Sequence, residues 1–183
     1  MRRSLFLQIP LVASALIANA KKPLNDRANK GFEVETGKDR FQEELLIMGG
    51  KFDCKVSAKD TDGDLCIYDT VRQEKGGPAL HLHHNQDEWF YVIKGEFIAK
   101  IGEDLLHLKA GDSAFAPRKT PHAFAKISDE EGQMLILFQP AGSMEDYFRE
   151  VSKLGGSIRD QAQGSGELMK THGMEVVGPP LKF

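Results

Sequence analysis

Three histidines and one glutamate stand where they could share a metal ion: His81, His83, Glu88 and His122. Side chains on a β-strand alternate between its faces, so His81 and His83 point the same way and His84 points the other. Asn85-Gln86 reads as a tight turn, after which Glu88 opens the strongly β-prone run Trp89 to Ile93. That run can fold back and set a carboxylate beside the two imidazoles. The fourth ligand is His122, which with Pro121 opens another apolar run beyond Pro117. Imidazoles and a carboxylate, with no thiolate and too few oxygens for calcium, suit one divalent transition metal: iron, manganese, nickel, copper or zinc. Four protein ligands on an ion that prefers six leave positions for substrate, as a catalytic site requires.

The elements that must position these groups are short and β-like. Candidate strands run over Phe32 to Thr36, Glu44 to Met48, Phe52 to Val56, Leu65 to Val71, Ala79 to His83 and Glu88 to Ile93. They continue over Phe97 to Ile101, Leu105 to Leu108, Ser113 to Ala116, Ala123 to Ile127 and Met134 to Phe138. Turn signals such as Gly49-Gly50, Asp62-Gly63, Gly76-Gly77, Lys94-Gly95 and Glu131-Gly132 separate them. Such a pattern predicts a mostly β chain folded as an antiparallel sandwich or barrel. Ser143 to Leu154, with Met144, Tyr147, Phe148, Val151 and Leu154 on one stripe and a capping-type start, predicts a helix packed on it. A second short helix is expected from Glu167 to His172.

The segment around the ligands resembles the two signature motifs of the cupin superfamily. His81, His83, Glu88 and Gly95 match the first motif, and Gly111, Pro117 and His122 match the second. The chain departs from the family at Lys119, where glycine is usual, and at Lys126, where asparagine is usual. The closing stretch Met174 to Leu181 resembles the tail of single-domain, quercetinase-like cupins. The likeness implies an antiparallel jelly-roll β-barrel over residues 31–142, with a helical C-terminal segment over 143–183 packing on it.

The 183 residues can bury one good core, and nothing marks a second domain. Residues 1–20 differ from the rest: Arg2-Arg3, an apolar run from Leu5 to Ile17, then Ala18-Asn19-Ala20. This is the pattern of a cleaved export signal, placing the mature protein in the periplasm or outside the cell with no membrane anchor. Arg2-Arg3-Ser4-Leu5-Phe6-Leu7 also resembles a twin-arginine signal, whose pathway exports folded proteins; an ordinary secretory signal is the alternative. Residues 21–30 read as a polar leader. Loss of Arg2 and Arg3 takes the formal charge from −3 to −5, with acids and lysines interspersed, which argues against nucleic acid or anionic membrane as partner. Open barrel edges invite a second copy of the chain, so a homodimer is compatible with the fold.

Several residues have plainer readings. Asp60-Thr61-Asp62-Gly63-Asp64 lacks the later positions of a calcium loop and reads as a solvated hairpin turn. Cys54 and Cys66 flank that turn and are either a disulfide or two buried thiols. His84 is a surface group or a support to the ligands, His107 sits on a strand, and His172 before Gly173 fits a helix end. Phe90, Phe115, Phe124 and Phe138 are candidate cavity walls.

The members this chain resembles include oxygenases that open aromatic or enol-containing compounds. The leading expectation is therefore a metal-dependent dioxygenase acting on a small phenolic or enolic, quercetin-like substrate, with Glu88 ligating or accepting a substrate proton. A binding module without turnover and a sugar isomerase or epimerase are the alternatives.

Overall fold

The structure, a computed structural model, describes residues 28–155 and 158–183. Residues 1–20, expected to form an export signal, and residues 21–27 of the expected leader lie outside them.

Strands with alternating inward apolar residues build two antiparallel sheets around one core. The larger sheet holds β1 (Leu45–Ile47), β2 (Gly50–Val56), β3 (Cys66–Arg72), β10 (Gly132–Gln139), β5 (Asp87–Lys94) and β8 (Ser113–Ala116), in that order. The smaller holds β11 (Met174–Pro180), β4 (Ala79–His83), β9 (His122–Lys126), β6 (Glu96–Ile101) and β7 (Asp104–Lys109). In β5 the alternation puts Glu88, Phe90 and Val92 inward, and in β10 it buries Met134, Ile136 and Phe138. Inward rings interlock: Phe52, Tyr68, Phe138 and Phe148 lie 4.8–6.5 Å apart between centroids, at tilted or edge-on angles.

Helix α1 (Met144–Lys153) lays Met144, Tyr147, Phe148 and Val151 into this core, whereas Leu154, the last of the expected stripe, is exposed at its C-terminal cap and Ser143 makes no side-chain cap. Helix α2 (Ile158–Thr171) starts earlier than the sequence suggested. His172 follows it, its backbone N–H closing on Leu168 and Met169.

Three expectations are corrected. Phe32 to Thr36 is not a strand: Phe32 lies under the Arg40 guanidinium, 4.0 Å from carbon to centroid, and the chain turns at Thr36-Gly37. The segment after Ser57 is a 3-10 helix (Ala58–Thr61) with a Ser57/Asp60 capping box rather than a bare hairpin turn. The C-terminal segment is not only helical, because Met174–Pro180 pairs with β4 as an edge strand. Cys54 and Cys66 are free buried thiols, and burial pushes the Cys54 thiol up to about 12, leaving it protonated and inert.

Candidate metal centre

β4 and β9 lie side by side with His81 directly opposite His122, and β5 faces them from the other sheet with Glu88. The pairing depends on Gly77, because a Cβ there would stand 1.8 Å from the Phe124 carbonyl oxygen. On the outer side β11 holds β4, with Met174 opposite His83 and Val176 opposite His81. The turn before His122 forms although Lys119 replaces the usual glycine. Lys119 adopts φ 66°, the left-handed region that favours glycine, and its N–H donates to the His83 carbonyl at 2.7 Å.

All four residues singled out in the sequence meet here. His81, His83, Glu88 and His122 are buried, and one donor atom from each lies within 4.8 Å of the others. Bonds of about 2.0–2.2 Å from nitrogen or oxygen to a metal place opposite donors roughly twice that far apart, so the set fits one ion. The ring orientations agree. Nδ1–H of His81 donates to the Ala79 carbonyl and Nδ1–H of His122 to the Thr120 carbonyl, each at 2.8 Å. A carbonyl only accepts, so both rings carry their hydrogen on Nδ1 and turn Nε2 toward the centre.

Electrostatics favour a cation at that point. Burial, then the neighbouring His122 and His83, lower the pKa of His81 to about 3, so its imidazole is neutral and able to ligate. Burial alone would raise Glu88, but the hydrogen bond with His122 and the nearby His83 imidazole outweigh it and hold the carboxyl well below the usual carboxylate range. Burial would likewise lower His122, yet the Glu88 carboxylate, 2.7 Å from its Nε2, raises it. Both shifts favour positive charge at that point. His83 supplies the decisive detail. Both of its ring nitrogens are buried without a hydrogen-bond partner among the described residues, Nε2 lying 3.2 Å from Glu88 Oε2. Buried imidazole nitrogens are seldom left so, and a metal ion would satisfy Nε2.

The other histidines stay away. His84 is exposed, 3.8 Å from Glu175; His107 is exposed on β7; His172 sits against Tyr147 and Glu150. Of the candidate wall aromatics, Phe124 and Phe138 line the cavity beside the cluster. Phe90 packs behind His122 at 6.3 Å, and Phe115 points outward, 55 % exposed, because Ala114 and Ala116 take the inward positions of β8.

Residues 70–138 match the family profile described as the cupin domain. This stretch is a cupin domain. Among curated proteins the chain is 30% identical over 67 residues to an uncharacterized protein of Methanocaldococcus jannaschii, covering 37% of the chain and 54% of that relative. It is 33% identical over 89 residues to 3-hydroxyanthranilate 3,4-dioxygenase of Pyricularia oryzae, covering 44% and 48%. The matches thus span only about half the length of these curated relatives. Among solved structures, Streptomyces PAC13 with uridine superposes with a TM-score of 0.50 at 14% identity, covering 64% of this chain and 88% of that one, a likeness of fold.

The cavity beside the cluster is small, about 50 Å³, and mostly apolar, with Phe52, Met144, Tyr147 and Met174 among its walls. Arg72 also lines it, a residue the sequence did not single out.

Proposed function

We propose that the protein is an exported metal-dependent dioxygenase acting on a small phenolic or enolic compound. The observation that carries this reading is His83, whose buried ring nitrogens make no hydrogen bond among the described residues and which lines a mostly apolar cavity. A curated relative named as a dioxygenase adds support over the matched region.

A divalent transition metal held by His81, His83, His122 and Glu88 would supply Lewis acidity and open positions for a substrate oxygen and O₂. The chain's own residues do the rest. The Ala79 and Thr120 carbonyls lock the rings of His81 and His122. Phe124 and Phe138 keep water from the centre. Glu88, held anionic, is a better ligand than proton acceptor, since a general base works best with a pKa near the operating pH. A cavity of about 50 Å³ lies far below the roughly 300–1,000 Å³ typical of drug-sized ligands, which favours a single-ring substrate over a flavonol such as quercetin. Export rests on residues 1–20, and a signal–reporter fusion in cells lacking each export pathway tests it.

Oxygen uptake by metal-reconstituted protein against a panel of single-ring phenols, enediols and flavonols tests the activity. Uptake with a single-ring compound is the predicted result. No uptake with any metal across the panel would leave a metal-dependent binding module.

A further inference from the structure

The cavity that the metal centre opens onto holds a second polar group of unusual standing. Arg72 ends β3 and points inward, 3% exposed, with Gly50 opposite it on β2 and Gly132 opposite it on β10. Its side chain lies over Gly50, where a Cβ would meet Arg72 Cγ at 3.0 Å and Nε and Cζ at 3.4 Å. The bare backbone of Gly50 makes room for the guanidinium inside the barrel.

Little in the protein answers its charge. Nη1 donates to the Met48 carbonyl at 2.7 Å, while Nε is buried without a partner. No carboxylate among the described residues pairs with it; the rings of Phe124 and Phe52 stand 5.5 and 5.9 Å from Cζ. Those rings support the plane of the fork but cannot neutralise it. Burial lowers its pKa only to about 10, so it stays charged at neutral pH. A buried cation without a counter-charge costs several kcal/mol unless something supplies the anion.

We infer that Arg72 is the anion-recognition residue of the cavity and that the ligand carries a carboxylate, seated on the guanidinium while its phenolic or enolic oxygen faces the His81–His83–Glu88–His122 cluster. A carboxylate matches the N–H fork in shape as well as charge. The inference deepens the proposed function by naming the substrate class, and it rests on that reading for the oxygen that faces the metal.

The test is anaerobic calorimetry on zinc-loaded protein with meta-hydroxybenzoate and its neutral analogue meta-hydroxybenzamide. Charged hydrogen bonds worth about 1.5–3 kcal/mol imply that the carboxylate binds roughly 10- to 100-fold tighter than the amide. Arg72→Met should bring the two within about threefold, at unchanged zinc content, and Arg72→Lys should keep part of the preference. Equal binding of the two probes by the unaltered protein, no binding of the carboxylate, or a preference that survives Arg72→Met would overturn the inference. The unaltered protein decides the question by itself if Arg72→Met does not fold. Carboxylate preference without oxygen uptake would support Arg72 and sink the dioxygenase reading. Uptake of oxygen without that preference would do the reverse.

Discussion

Two of the buried carboxylates, Glu145 and Glu88, are treated in opposite ways. Glu145 on α1 accepts from Ser57 Oγ at 2.8 and 3.1 Å, from the Ala58 N–H, and from Arg149 at 3.4 Å. Each contact ties α1 to the turn after β2 or to its own helix. Glu88 faces only imidazoles, two of which have a carbonyl behind them, and the third, His83, has no hydrogen-bond partner. The first arrangement is complete as it stands and serves the fold. The second is complete only with a cation, so its incompleteness is the mark of function. Two buried cations repeat the contrast. Lys126 donates to the Gln73 and Ser128 carbonyls at 2.8 Å each, whereas Arg72 retains an unpartnered Nε.

The contrast can be broken by exchanging what is lost. His122→Ala should reduce bound metal at least about tenfold, the scale on which even supporting residues of metal sites act, with the fold retained by circular dichroism. His107→Ala, on the exposed β7 position, should leave metal content unchanged. Equal loss in both would show that the cluster is not the site. Glu145→Ala should do the opposite. Ser57 Oγ and the Ala58 N–H would be left buried without their acceptor, at about 1–3 kcal/mol each, so the denaturation midpoint should fall while metal stoichiometry holds. A Glu145→Ala protein of unaltered stability would remove the distinction.

The smallest effect is expected at the surface, beside Glu88. Asp87 accepts a bidentate pair from Arg118 at 3.0 and 2.6 Å as well as the Arg118 backbone N–H. These bonds lower its pKa to about 2. A carboxyl depressed in the folded state stabilises above its unfolded pKa, near 4, and loses that contribution as the pH falls toward 2. Arg118→Ala should therefore flatten the loss of stability between about pH 4 and 2, and only slightly, because solvent screens the pair. Metal content at neutral pH should not change. An acid profile identical to that of the unaltered protein would show that the pair carries nothing.

What could be read beforehand was whatever is local. Strands β4, β5, β8 and β10 announce themselves through period-two alternation, and the ligands fall on that alternation. Phe115 shows its limit: it was a candidate wall, but the alanines flanking it hold the inward phase. β11 was missed because Gly178-Pro179-Pro180 reads as a loop, and its pairing with β4 is set by a partner far away in sequence. Arg72, followed by Gln73-Glu74-Lys75, looks like the solvated end of a strand. Its burial depends on Gly50 on a neighbouring strand, which no local pattern reveals.

The most direct measurement is elemental analysis of the purified protein after dialysis against iron, manganese, nickel, copper or zinc, set beside the same assay on His122→Ala. Close to one ion per chain with at least one of these metals, falling to a tenth or less in the variant, is the predicted result. No binding beyond background for any of them, or equal stoichiometry in His122→Ala, would contradict the assignment of His81, His83, Glu88 and His122 to a common ion.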